Sequence, residues 1–246
     1  MTPDSLTDFS KNTLTPTQTL LQAKGLGYSV SQQDQPLVIL RNLDLNIQRG
    51  ERVAILGPSG SGKSTLLALL AGLDTPTEGE LLWDGKAFSS LGEDQRAAVR
   101  AKEVGFIFQS FQLLPELTAL ENVMLPLELR NETDAEQQAR VWLDRVGLSQ
   151  RAGHRPTQMS GGEQQRVAIA RAFASRPSVL FADEPTGNLD EGNGRKVADL
   201  LFDLNEHAGQ AMTLVLVTHD RQLAARCQRI LQLESGQLVM PEAADE

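Results

Sequence analysis

Little in this sequence offers redox or metal chemistry of its own. Cys227 is the only cysteine among 246 residues, so no intrachain disulfide can form, and a reducing compartment suits the chain. Its neighbours Ala224, Ala225 and Ile230 put Cys227 in helix or core packing and give it no role. No spacing of Cys and His suits zinc. No apolar stretch approaches the ~18 residues that a membrane span needs, so any membrane association goes through a partner. Residues 1–20 are rich in Thr, Ser and Asp and lack the apolar core of a secretory signal. They are expected to form a disordered tail. Positive charge is outnumbered: the net charge of -9 argues against a surface that coats nucleic acid. Internal repeats and long heptad runs are missing too. What remains is enough chain for one large domain with a subdomain, expected over 21–246.

Against these absences, one stretch stands out. Gly57-Pro58-Ser59-Gly60-Ser61-Gly62-Lys63-Ser64-Thr65 fits Gly-x-x-x-x-Gly-Lys-[Ser/Thr], the phosphate-binding loop. Val53-Ala54-Ile55-Leu56 before it is an apolar run of the buried parallel-strand kind. Thr65 to Ala71 after it are good helix formers, stopped by Gly72. Glycines let the backbone curl so that successive N–H groups face phosphate oxygens, and the helix start adds partial positive charge. Lys63 is expected to reach the outer phosphates and the Ser64 hydroxyl to take Mg²⁺.

The surrounding pattern is α/β. Leu43, Leu45 and Ile47 alternate with Asp44, Asn46 and Gln48, a half-exposed strand closed by Arg49-Gly50. Glu80 to Trp83, followed by Asp84-Gly85, reads as another strand with a turn. Both suggest an antiparallel sheet beside the nucleotide core. Asp94 to Ala101 reads as helix, and Val104 to Phe108 as a strand ending at Gln109. From Ser110 to Met159 the strand signals thin out. Thr118-x-x-Glu121 is a capping box opening a helix that Pro126 is expected to interrupt. Asp134 to Val146 is a second helix, stopped by Gly147. The stretch of about 110–159 is thus a helical insertion, with His154 in a solvated loop beside Arg151 and Arg155. Then come helix (Ser160–Ser175), strand (Val179–Ala182), helix (Asp190–His207, with Gly209 beyond it) and strand (Met212–Val217). Ile230–Leu233 and Leu238–Met240 flank the turn Ser235-Gly236.

Asp183 and Glu184 directly follow an apolar strand. Beside a phosphate loop, one carboxylate is expected to hold Mg²⁺, usually through water because the ion keeps its hydration, and the next to orient and deprotonate the attacking water. The phosphate loop, Gln109, Asp183-Glu184 and His219 each follow an apolar strand. Ligands of open parallel sheets bind outside the carboxyl ends of the strands, so these groups are expected to meet at one edge. Met159-Ser160-Gly161-Gly162-Glu163-Gln164-Gln165-Arg166 is a second glycine-rich site. It is a helix start with Ser160 as N-cap and Glu163 closing the box.

Taken in order, these stretches, with Leu180-Phe181-Ala182-Asp183-Glu184-Pro185, Asn188-Leu189-Asp190 and Val217-Thr218-His219-Asp220, resemble the ATPase subunit of ABC transporters. The resemblance covers nearly everything after the tail. It implies a P-loop NTPase (RecA-like) parallel sheet core, an N-terminal antiparallel β subdomain and an inserted α-helical subdomain. It also implies ATP and Mg²⁺ as cofactors. Ser160 and Gly162, with Gly161 between them, would contact the γ-phosphate of ATP held by the other subunit of a head-to-tail homodimer. Asp190 would lie in the loop coupling the two sites. His219 would contact the γ-phosphate, and Gln109 would sense Mg²⁺ and lead into the insertion that grips an integral-membrane permease. Met159 stands where Leu is usual. The adenine-stacking aromatic usually comes four residues after a Leu; Val30 holds that place here, and Tyr28, on the same strand face, is the candidate to replace it.

A narrower likeness runs through Phe106-Ile107-Phe108-Gln109-Ser110-Phe111-Gln112-Leu113-Leu114-Pro115, Leu117 to Val123, Leu125-Pro126-Leu127 and Thr186 to Asp190. It is similar to the lipoprotein-release and macrolide-efflux class, and within it to the YbbA-like subunits. The implied role is to drive an inner-membrane permease from its cytoplasmic face, for lipidated or hydrophobic cargo. Among Phe111, Leu113, Leu114 and Leu117, some are expected to line the permease groove. The alternatives are a signalling ATPase that moves no cargo and a soluble ABC ATPase. The single phosphate loop and the net charge of -9 speak against the latter.

Overall fold

The computed structural model describes residues 18–32, 35–207 and 212–239. Two sheets organise them. Strands β1 (Thr19–Gln32), β2 (Gln35–Gln48), β4 (Glu78–Trp83) and β5 (Lys86–Ala87) form an antiparallel sheet in the order β2-β1-β4-β5. The second sheet runs β10-β9-β3-β8-β7-β6. It comprises β3 (Arg52–Leu56), β6 (Val104–Ile107), β7 (Val179–Asp183), β8 (Thr213–Thr218), β9 (Arg229–Glu234) and β10 (Gln237–Val239). All its pairs are parallel except the β9–β10 hairpin. Buried on both faces, β7 and β8 read as unbroken apolar runs, which is what a covered parallel sheet demands.

The sheets share one core. Leu43, Leu45 and Ile47 on β2 and Leu81 and Trp83 on β4 pack with Val53 and Ile55 of β3 and with α1 (Lys63–Leu70). Trp83 is a packing residue, its ring 5.3 Å from that of Phe88. The antiparallel sheet extends further than the alternation at 43–48 suggests, because β1 and β2 pair along their length despite several bulges. β1 starts at Thr19, and Leu20 is fully buried, so the last residues of the stretch read as tail belong to the sheet. Residues 1–17 lie outside the described residues, as do Gly209 and Met240.

A second core holds the helical insertion. Here α3 (Ala119–Leu129) and α4 (Ala135–Arg145) pack on α5 (Gly161–Ala174) through Val123, Leu127, Ala139, Leu143, Val167 and Phe173. Helices α2 (Glu93–Glu103), α6 (Glu191–Glu206) and α7 (Arg221–Ala224) complete the fold. Pro126 does not interrupt its helix: α3 runs through it to Leu129. Proline inside a helix costs about 3 kcal/mol. Burying Val123 and Leu127 on either side returns roughly 1.5–3 kcal/mol each, so tertiary packing overrides the local break.

Asn122, fully buried on α3, organises the loop that leads into this helix. Its amide nitrogen shares its two hydrogens among the carbonyls of Leu114, Leu117 and Thr118, and its Oδ1 accepts the Leu114 N–H at 2.9 Å. A buried amide with every group partnered fixes one loop conformation.

Candidate functional site

Strands β3, β8, β7 and β6 are neighbours and parallel, so their carboxyl ends share one edge. That edge carries the glycine-rich loop after β3, His219 after β8, Asp183 and Glu184 at the end of β7, and Gln109 shortly after β6. The convergence expected from the strand pattern is therefore present.

In the loop 57–62, Gly60 and Gly62 take φ of 78° and 98°, where a Cβ is strained. Gly57 needs glycine for a different reason: a Cβ there would lie 2.2 Å from the Leu233 carbonyl oxygen. The loop is braced from outside, since Gly236 donates to the Ser61 carbonyl at 3.1 Å and its own carbonyl accepts from Arg41 at 2.9 Å. Helix α1 starts on Gly62 with no side-chain cap and no acidic residue in its first turn. Its first N–H groups are thus left for an anion. The Lys63 ammonium is folded in, donating to the Gly57 and Pro58 carbonyls at 2.9 Å each. Carbonyl dipoles hold it where phosphate oxygens are stronger acceptors. Pro58, Ser59 and Thr65 complete the loop and the first turn.

Asp183 sits half-buried at the end of β7, with Oδ1 buried and unpartnered. Burial pushes its carboxyl pKa up, the Ser64 hydroxyl pulls it down, and the Glu184 charge adds to the rise. Ser61 Oγ is likewise buried without a partner. Ser64 and Asp183 therefore form a small hard-oxygen set, one oxygen of it unsatisfied, which fits a cation that keeps most of its own water shell. Among the described residues no cluster of three or more His, Cys, Asp and Glu could cage a metal alone.

Glu184 has φ of 45°, an unusual conformation for a side chain of this size. Its N–H donates to the Val217 carbonyl at 2.9 Å. One carboxylate oxygen accepts from Thr218 Oγ1 at 3.3 Å, and the other stands 2.9 Å from His219 Nδ1. Backbone strain of this kind costs roughly 1–3 kcal/mol and persists only where surrounding contacts enforce it. This strain was not legible in Asp-Glu-Pro; only the pairing of β7 with β8 creates it. Gln109 is held by Asn188, a residue the pattern assigned no role of its own.

The second glycine-rich stretch caps α5. The Ser160 hydroxyl accepts from the Glu163 N–H at 3.3 Å and donates to its carboxylate at 3.0 Å. Glu163 is held below the usual carboxylate range, chiefly by the Ser160 N–H, with Arg151 at 2.9 Å adding to it. Gly162 is buried beside Asn193, and a Cβ on Gly161 would lie 3.6 Å from the Phe111 ring. Asp190 caps α6 by accepting from the Asn193 N–H at 3.0 Å. Tyr28, on β1, is partly buried and donates its hydroxyl to Asp74 at 2.5 Å, a bond that raises its pKa. The Arg151 guanidinium lies 3.2 Å from His154, in keeping with its surface loop. Cys227 is mostly buried, which pushes its thiol up to about 11 and leaves it unreactive.

A groove of about 310 Å³ lies where the helical insertion meets the parallel sheet. Phe106, Phe108, Gln112, Leu125, Leu129 and Arg171 are among its walls. Phe111, Leu113, Leu114 and Leu117 are not among its walls. Leu113 instead packs on the helical core. No helix among the described residues is long and apolar enough to cross a membrane.

The chain has known relatives in sequence and in fold. Residues 40–187 match the ABC transporter family. The uncharacterized ABC transporter ATP-binding protein YbbA of Escherichia coli (strain K12) is 55% identical over 225 residues, spanning 91% of this chain and 98% of that protein. The lipoprotein-releasing system ATP-binding protein LolD of Hydrogenovibrio crunogenus is 49% identical over 224 residues, spanning 90% and 96%. The dimeric structure of a post-hydrolysis state of the ATP-binding cassette MJ0796, bound to ADP and Pi, superposes with a TM-score of 0.84 at 41% identity. It covers 92% of this chain and all of that one. This chain belongs to the ABC transporter family and is an ATP-binding, ATP-hydrolysing subunit of it.

Proposed function

We propose that this subunit works as a cytoplasmic homodimer on the inner face of the inner membrane, driving a permease that handles lipidated or hydrophobic cargo. The observation that supports it most is the shared edge: phosphate loop, Gln109, Asp183-Glu184 and His219 at the ends of four adjacent parallel strands. In this reading the loop N–H groups and Lys63 bind the phosphates of ATP. Ser64 and Asp183, with Gln109 as a further candidate, would hold Mg²⁺, which would supply neutralising charge for the phosphates. Glu184 takes the proton of the attacking water, and His219, within hydrogen-bond distance of that carboxylate, fixes its orientation and contacts the γ-phosphate. Tyr28 offers a ring face to adenine. Ser160, Gly161 and Gly162 close over the ATP of the second copy. The dimeric state reported for MJ0796 supports that pairing, and the name of LolD supports a lipoprotein-type cargo. The permease docks in the groove walled by Phe106, Leu125 and Leu129 by the helix-in-groove mode.

Purification of the native complex from detergent-solubilised membranes tests this reading. A permease of the lipoprotein-release class should come down with the subunit. Recovery only of soluble proteins would contradict it.

A further inference from the structure

Phe111 and Gln112 both hold left-handed backbone, with φ of 60° and 47°. Neither is glycine, and two such residues in succession are strained. They stand two and three residues after Gln109. The Gln112 N–H turns back onto the Ser110 carbonyl at 2.6 Å.

What holds this turn comes from a distant part of the chain. Arg171, on α5, donates one guanidinium nitrogen to the Gln112 carbonyl at 2.6 Å and the other to the Phe111 carbonyl at 3.1 Å. Among the described residues no carboxylate pairs with it. Burial pulls its pKa down. An arginine kept charged in a desolvated place, answered only by two backbone carbonyls, spends its planar fork on geometry. Arg171 and Gln112 are also walls of the groove at the insertion, with Phe106, Leu125 and Leu129. On the other side, the Phe111 ring approaches Gly161 at the start of the same helix.

We propose that Arg171 is a positioning residue for ATP hydrolysis. Its two-pronged hold on the Phe111–Gln112 turn fixes where Gln109 presents its amide to the nucleotide edge, and it joins that turn to the groove and to the start of α5. The inference rests on the reading of Gln109 given above. A partner seated in the groove touches Arg171 and Gln112 directly, so it acts on Gln109 through this clamp.

The test uses the full-length subunit, with ATP affinity and steady-state hydrolysis measured for each variant. In Arg171→Met the stem stays and the fork goes; turnover should fall by about 10–100-fold, the scale of a misplaced group, with ATP affinity little changed. Gln112→Gly accepts positive φ without strain. Added to Arg171→Met, it should restore most of the lost turnover, which a merely structural role for Arg171 in α5 would not allow. Wild-type turnover in Arg171→Met, or a loss that Gln112→Gly does not relieve, overturns the proposal. If Arg171→Met does not fold, Arg171→Lys keeps the charge on a single point donor. It should lose turnover in part and regain it with Gln112→Gly; no loss, or an unrelieved loss, overturns the proposal equally. Gln109→Ala separates the two levels: wild-type turnover there refutes the reading of Gln109 itself, whereas a loss there beside an unaffected Arg171→Met refutes the clamp alone.

Discussion

Gln109 and Asn188 hold each other from the loops that follow two adjacent parallel strands. The Asn188 side-chain amide donates to the Gln109 backbone carbonyl at 2.9 Å, and the Gln109 amide donates to Asn188 Oδ1 at 3.3 Å. The pair ties the end of β6 to the loop after β7, across 79 residues of sequence. It leaves the Gln109 side chain weakly held and the backbone beneath it firmly held, the arrangement expected of a group that must change partner when nucleotide arrives. Asn188→Ala should lower hydrolysis by several-fold and leave ATP affinity nearly unchanged. Equal losses in affinity and turnover would mean that the pair only supports the fold.

Lys63→Ala should abolish productive ATP binding. The ammonium lies folded on the Gly57 and Pro58 carbonyls, and no other cation of the loop can replace its charge at the outer phosphates. Fluorescent-nucleotide titration measures the effect. An unchanged dissociation constant would remove Lys63 from the site.

The Ser160–Glu163 cap makes a prediction about acid. Glu163 is held below the ordinary carboxylate range by the Ser160 N–H and then by the Ser160 hydroxyl and Arg151. A carboxyl whose pKa is lowered by folding contributes stability that is present above its unfolded pKa and lost as pH falls through its folded pKa. Wild type should therefore lose thermal stability relative to Glu163→Gln as pH drops below about 4.3. Parallel melting curves at every pH would show that the cap carries no charge-dependent stability. Ser160→Ala should cost about 1 kcal/mol at neutral pH, the usual worth of such a cap.

Leu129 is 75% exposed at the rim of the groove. Leu129→Glu should spare hydrolysis by the isolated subunit and abolish co-purification with the membrane component. Intact co-purification would move the docking surface elsewhere.

The sequence made the parallel sheet and its functional edge legible because each motif sits directly after an apolar run, and buried parallel strands are nearly all apolar. The capping boxes at Thr118 and Ser160 were legible for a similar reason: a cap is decided by residues three apart. What escaped depends on contacts between distant segments. Pro126 is carried inside α3 only because Val123 and Leu127 are buried on α5. Of the apolar residues Phe111, Leu113, Leu114 and Leu117, Leu113 packs on the helical core and Leu114 is exposed, a division that apolar character alone does not decide. The positive φ of Glu184 and the clamp of Arg171 on Phe111 and Gln112 involve backbone carbonyls, which leave no trace in residue identity.

The most direct test of the site is hydrolysis by Glu184→Gln. The amide keeps the shape and the contacts to Thr218 and His219 but cannot accept the proton of water. Turnover should fall by roughly 10²–10⁴-fold, the range of a lost general base, with ATP affinity retained. Light scattering should then find a dimer that persists as long as ATP is present. Wild-type turnover in this variant would contradict the assignment of Glu184 as the base, and with it the central claim about this edge of the sheet.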